Sequence, residues 1–153
     1  MGKKEIREAM IRIGFTGTRE TLTDFQRLAV REFLKESYSD KVNIEAHHGM
    51  CVGADLYFHT VVREVIPEAI IEGHPPTIQG RAFVHGLDCD KLWIPKDYLA
   101  RDRDIVNSCA TLIACPNSEE RRGSGTWYTI NHAKMKGKYI YLVYPDRIEE
   151  INV

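Results

Sequence analysis

Thr111-Leu112-Ile113-Ala114-Cys115-Pro116-Asn117-Ser118-Glu119-Glu120-Arg121-Arg122-Gly123-Ser124-Gly125-Thr126-Trp127-Tyr128 is the stretch whose reading decides the fold. An apolar run stops at a proline, crosses a polar segment, and reaches two glycines flanking a serine just before a segment with helical periodicity. That pattern predicts strand, loop and helix. Small residues and a hydroxyl at a helix start leave first-turn N–H groups unpaired and unscreened, and the helix dipole adds partial positive charge there. The guest such a turn suits is an anion, phosphate above all. Gly and Ser also make ordinary turns and N-caps, so the stretch alone leaves both readings open.

Working outward, the same alternation recurs. Met10 to Phe15 reads as a short buried strand ending at Thr16-Gly17-Thr18-Arg19, with Thr23 or Asp24 as cap of a helix through Phe25, Leu28, Ala29, Phe33 and Leu34. Val42 to His47 is a second strand. It leads through Gly49 and Gly53 to a helix carrying Leu56, His59, Val62 and Ile66, broken at Pro67. Ala69 to Ile71 is a third strand. Residues 77–97 are irregular, and a loop of that length in a compact domain is expected to cover or contact something, which makes it a candidate lid. Helical spacing returns from Tyr98 to Cys109, then come the opening strand, a helix from Gly125 to Lys136 stopped at Gly137, and a last apolar strand from Tyr139 to Tyr144.

Short, nearly all-apolar strands alternating with helices predict an α/β, doubly wound and mainly parallel five-stranded sheet, with helices on both faces and strand order 3-2-1-4-5. The 153 residues fit one domain, residues 1–153, with 1–9 as a short helix or loose arm. Lys and Arg number 21 against 22 Asp and Glu, a net charge of -1, so the footprint that duplex nucleic acid demands is missing and nucleic acid is not the expected partner. No apolar stretch approaches the roughly 20 residues that span a bilayer, and the start lacks the apolar segment of a signal peptide. Four cysteines form no C-x-x-C pair. These features lead to the expectation of a cytoplasmic protein.

In the expected strand order the turns at Gly17, at Gly49 with Gly53, and at Gly123 with Gly125 share one rim, where the connection reverses between strands 1 and 4 and ligands bind. Gly14 and Gly17 lack the G-x-G-x-x-G spacing and no acidic residue closes strand 2, so a standard NAD site is not expected. Thr16, Thr18 and Arg19 suit a phosphate or carboxylate, or simply a tight turn with a surface arginine. Asp55 could receive a ribose hydroxyl or merely complement the helix dipole. Six histidines show no metal-ligand spacing, so no metal and no cofactor is expected; His48 and His74, at strand ends, are the two that could face a ligand. Trp127 and Tyr128 could pack in the core or stack on a base. The run Arg101-Asp102-Arg103-Asp104 looks like a solvated face, yet its helix starts where the long loop ends and could aim an arginine at the crevice.

The set Gly14-Phe15-Thr16-Gly17-Thr18-Arg19, His48-Gly49 with Gly53-Ala54-Asp55, Arg101 to Val106, and Pro116 with Gly123-Ser124-Gly125-Thr126 resembles the SLOG superfamily of Rossmann-like domains. That group includes the lonely-guy phosphoribohydrolases and the DNA-processing protein of transformation. The resemblance implies a ligand or phosphate site from Thr16, Gly17, Thr18, Arg19, Gly49, Gly53, Asp55, Arg101, Gly123, Ser124, Gly125 and Thr126, and a homo-oligomer. Arg101 falls where the lonely-guy enzymes carry a helix arginine, and Gly125-Thr126 on their G-T. Their glutamate position is Thr129 here. N-glycosidic cleavage passes through a cation-like sugar that an acidic group stabilises, so the phosphate cradle is kept better than the chemistry. The expectation is a module that binds a nucleotide or nucleotide-derived ligand. The alternatives are a nucleotide N-ribohydrolase using Arg101 and Asp55, with Glu119 or Glu120 as other carboxylates, or a single-stranded DNA binder.

Overall fold

The computed structural model describes residues 9–153, so the charged opening stretch lies outside it except for Ala9. In chain order the elements are β1 (Ile11–Gly17), α1 (Asp24–Tyr38), β2 (Ile44–His48), α2 (Ala54–Val65), β3 (Ile70–Gly73), β4 (Lys91–Leu92), α3 (Tyr98–Asn107), β5 (Thr111–Cys115), α4 (Gly125–Met135), β6 (Tyr139–Val143) and β7 (Ile148–Ile151). They build one sheet in the order β4-β3-β2-β1-β5-β6-β7, parallel throughout except for β7.

The fold is thus α/β and doubly wound, and the predicted 3-2-1-4-5 core is β3-β2-β1-β5-β6. The strand count is corrected from five to seven. β4 is a two-residue pairing of Lys91 and Leu92 with Glu72 and Gly73, too short to show a period. β7 is an exposed antiparallel edge whose Glu149 and Glu150 give no apolar run. The segment 77–97 therefore extends the sheet through β4. It also pairs with the turn after β2, through Val52 N to Ala82 O and Val84 N to Met50 O.

Side chains alternate between two cores because strand neighbours point to opposite faces. Ile13 and Phe15 of β1, with Ile113 and Cys115 of β5, pack under α1 and α2; Leu112 and Ala114 pack under α3 and α4 with Ile105, Trp127 and Ile130. Phe15 stacks on Phe58 with centroids 4.5 Å apart. Burial of each such side chain contributes about 1.5–3 kcal/mol.

One polar residue of α1 is placed to hold the rim of the sheet. Thr23 and Gln26 form a capping box, with Gln26 N donating to Thr23 Oγ1 and Thr23 N to Gln26 Oε1, each at 3.1 Å. The same Gln26, fully buried, donates through Nε2 to Pro116 O at 2.7 Å and Val143 O at 3.0 Å. It satisfies the carbonyls that leave β5 and β6, and so sets where the loop after β5 departs.

Candidate functional site

The chain passes from β1 outward through β2, β3 and β4, then returns to β5 on the other side of β1. Connections diverge at that point, leaving a crevice beyond the carboxyl ends of β1 and β5. A cavity of about 490 Å³ fills it, within the range that takes a small-molecule ligand.

The turn after β1 supplies Thr16, Gly17, Thr18 and Arg19 to the cavity. It is stitched in place from both sides, by Thr18 N to Cys115 O and by Ala54 N to Thr18 O, each at 3.0 Å. Glu20 N donates to the Thr18 hydroxyl, so that oxygen works inside its own turn. After β2 come Gly49, Cys51 and Asp55; after β5 come Pro116, Asn117, Arg121 and Gly123 to Thr126. Gly53 is the one expected ligand position that does not line the cavity. Its φ is +80°, and a Cβ there would lie 2.5 Å from Arg19 O, so this glycine serves the close approach of two turns.

At the start of α4, Ser124 caps the helix: its hydroxyl accepts from Trp127 N at 3.2 Å and its carbonyl from Tyr128 N at 2.9 Å. The first-turn N–H groups left over are those of Gly125 and Thr126, and both residues line the cavity. Trp127 is buried in the core with Nε1 on Ser118 O, which settles its reading as packing. Tyr128 stands outside this cavity, its hydroxyl accepting from Arg103 Nη1 at 2.8 Å.

The deepest wall is made by α3. Arg101 is buried: Nη1 donates to Gly49 O at 2.6 Å and His74 O at 3.1 Å, and Nε to Asp102 Oδ1 at 2.8 Å. Burial opposes its charge, but Asp102, Cys51 and Asp55 together hold its pKa above the ordinary arginine range. The guanidinium is thus committed to the protein, and its role is to position Asp102 and the turn at Gly49 more than to clamp a phosphate by itself. Gly49 permits this, since a Cβ there would lie 2.3 Å from Arg101 Nη1.

Asp55, 6% exposed, accepts from Cys51 N at 3.1 Å. Burial raises its pKa to about 6, partly offset by Arg101. Asp102 is buried and its pKa is likewise raised by burial, against the pull of Arg101 and Thr129. Asp102 lines the cavity as a buried carboxylate, although the charge run it belongs to resembles a solvated face. Its signal was the period of α3, where Arg101, Asp102, Ile105 and Val106 are the buried positions, an inward face despite the charge run. Tyr98, Glu20 and Asn117 also line the cavity without a sequence signal that marks them as ligand positions, and Arg121 does so as part of the local basic pair Arg121-Arg122, which suits a small anionic ligand. The Cys51 thiol is pushed up to about 11 by burial, so it is no thiolate nucleophile at neutral pH.

The expectation that His48 and His74 face a ligand is corrected: both rings are buried in hydrogen-bonded chains away from the cavity lining. Met50 N donates to His48 Nδ1 at 2.9 Å, which places the neutral ring's proton on Nε2, facing His59 Nδ1 at 2.9 Å. His59 Nε2 then donates to Asp88 at 2.6 Å. His74 Nε2 meets His47 Nδ1 at 2.8 Å, and His47 Nε2 meets Glu45 at 3.2 Å. Burial lowers His48 to about 3 and His74 to about 2, so both are neutral.

Two groups among the described residues have side chains close enough to hold a metal, His48 with His59 and Cys89, and Glu45 with His47 and Glu72. A cation on His48 Nε2 would require moving that ring's proton against the Met50 N–H. In the second group Arg12 and Lys91 already pair with Glu45 and Glu72, and Trp93 Nε1 donates to Glu72 at 2.8 Å. Hydrogen bonds and ion pairs thus already engage His48 and His59 in the first cluster and all three side chains of the second.

No protein-family model matches the chain, and no curated protein matches it. Solved structures do. The molybdenum cofactor binding protein from the phototrophic bacterium Rippkaea orientalis is similar at 18% identity, with a TM-score of 0.65 over 89% of this chain and 77% of that one. TM1055 is similar at 17% identity, with a TM-score of 0.60 over 86% of this chain and 72% of that one. DNA processing protein A (DprA) from Streptococcus pneumoniae is similar at 14% identity, with a TM-score of 0.63 over 87% of this chain and 50% of that one, so the chain spans half of its length. At these identities the likeness is one of fold alone, and the fold shared is a Rossmann-like α/β fold.

Proposed function

We propose that the chain binds a nucleotide or nucleotide-derived ligand in the crevice between β1 and β5, with a phosphate against the first turn of α4. The observation that carries this is what shares the cavity with that turn. The N–H groups of Gly125 and Thr126 open toward an anion, while the buried carboxylates of Asp55 and Asp102 face the same space and suit the hydroxyls of a sugar. Arg121 lines the cavity on the loop leading to that turn and Arg19 on the turn after β1, both exposed and able to move to a phosphate.

Calorimetry with adenosine 5′-monophosphate tests the reading. A Cβ on Gly125 meets nothing nearer than Asp102 Oδ2 at 3.9 Å, so Gly125→Val fits the fold and fills the cavity instead. Affinity falls by roughly tenfold or more. Unchanged affinity rejects the site.

A second reading, a nucleotide N-ribohydrolase, is favoured by one specific observation. Thr129 stands at the position of the glutamate in the resembling enzymes and donates to Gly125 O at 2.8 Å, while the Asp102 carboxylate lies beside it, its pKa raised by burial against the pull of Arg101 and of that hydroxyl. A carboxylate is therefore supplied from α3 instead of α4. Release of free base from a panel of nucleoside monophosphates, abolished by Asp102→Asn, supports turnover; no release leaves the binding reading alone.

A further inference from the structure

The cavity has an aromatic wall that the phosphate reading does not use. Tyr98 opens α3 behind the Asp97 cap and is the one aromatic side chain among the described residues lining the cavity, with Leu99 and Ile105 as apolar neighbours. Two guanidiniums address its ring, Arg19 with Cζ 5.0 Å from the centroid and Arg101 with Cζ 5.4 Å. They differ in freedom. Arg101 is held by three hydrogen bonds, whereas Arg19 is exposed, lies over the ring, and is drawn toward Asp102 by charge alone, with no hydrogen bond from its guanidinium among the described residues.

A planar cation that is not otherwise tied occupies a π-face that a nucleobase can take over, because both stack on a ring at the same separation. The helix supplies the spacing. Tyr98, then Arg101 and Asp102, then Ile105 descend one face of α3 a turn at a time, about 5.4 Å apart along the axis. Asp102 in turn lies beside the start of α4, its Oδ2 3.9 Å from where a Gly125 Cβ would be. Phosphate at Gly125, sugar at Asp102 and base at Tyr98 is the order of parts in a nucleoside 5′-monophosphate.

Resting on the phosphate reading above, we infer that Tyr98 is the stacking platform for an aromatic base, and that Arg19 yields the ring when the base arrives. The ligand is then a nucleotide with its base attached and not a bare sugar phosphate. Tyr98 is the residue that distinguishes the two.

Calorimetry with adenosine 5′-monophosphate and with ribose 5-phosphate, on the unaltered chain, Tyr98→Ala and Tyr98→Phe, decides the matter. The unaltered chain prefers the nucleotide by about tenfold or more. Tyr98→Ala loses that preference while its affinity for ribose 5-phosphate stays within about threefold, which also shows the pocket intact. Tyr98→Phe keeps the preference. Persistence of the preference in Tyr98→Ala, or equal affinity for both probes in the unaltered chain, overturns the assignment of Tyr98 while leaving the phosphate site standing. Binding of neither probe to the unaltered chain overturns the phosphate site itself, and this inference with it.

Discussion

Gly49→Ala probes the packing that fixes the deep wall of the cavity. The φ of Gly49 lies outside the left-handed region, so alanine brings no backbone strain and the effect is one of contact alone. Its Cβ would stand 2.3 Å from Arg101 Nη1 and 2.7 Å from Cζ. Carbon and nitrogen need about 3.5 Å, so the guanidinium withdraws by roughly 1 Å. The Nη1 bonds to Gly49 O at 2.6 Å and His74 O at 3.1 Å cannot both survive that movement. Hydrogen bonds from a charged donor contribute about 1.5–3 kcal/mol each, and partial recovery in the cavity leaves an expected loss of about 2–4 kcal/mol. Urea denaturation of Gly49→Ala, Arg101→Ala and the double variant measures it. With Arg101 truncated the methyl has room, so Gly49→Ala costs at least about 2 kcal/mol less in that background. Additivity within about 0.5 kcal/mol refutes the reasoning.

Three further outcomes follow from the same contacts. Gln26→Ala strips the donor from Pro116 O and Val143 O and destabilises by about 2–4 kcal/mol in thermal or urea melts; a change below about 0.5 kcal/mol contradicts that role. Ser124→Ala removes the α4 cap and costs about 1 kcal/mol, measured the same way. Stability also falls in mild acid. His48 at about 3 and His74 at about 2 bind protons more readily unfolded, so their contribution is complete above pH 6.5 and is lost toward pH 3, at about 1.4 kcal/mol per pH unit each. Asp55, raised to about 6, works the other way between pH 6 and 4, as does Asp102, raised by burial, while His47, lowered by burial, adds to the loss; the histidines outweigh the two carboxylates, so stability is lower at pH 5 than at pH 7.5. Equal stability at the two pH values in urea titrations contradicts this.

The central five strands and their order were legible because β1, β3, β5 and β6 carry short apolar runs and β2 begins on the apolar Ile44 and Ala46, each followed by a glycine, proline or polar turn, and right-handed crossovers leave few arrangements. β4 and β7 were not legible, since two residues carry no period and Ile148 to Ile151 is an exposed edge. The three turns that line the crevice could be read as turns, but their division of labour could not. Gly53 and Gly49 look alike in sequence, yet one admits a neighbouring backbone and the other a guanidinium from a helix 52 residues away. Asp102 was hidden because alternating charges resemble a solvated face, and only the burial of Ile105 and Val106 on the same side reveals the turn of the helix. The histidine chains depend on the register that sets His47 opposite Glu72 and His48 opposite Gly73, a long-range pairing that no local pattern encodes.

The binding account rests on free N–H groups at the start of α4. Amide-resolved NMR titration with adenosine 5′-monophosphate observes them directly. The account predicts that the amides of Gly125 and Thr126 move most, in step with those of Thr16 to Arg19 across the crevice. Saturation with those amides unmoved, and the shifts gathered elsewhere on the surface, contradicts it.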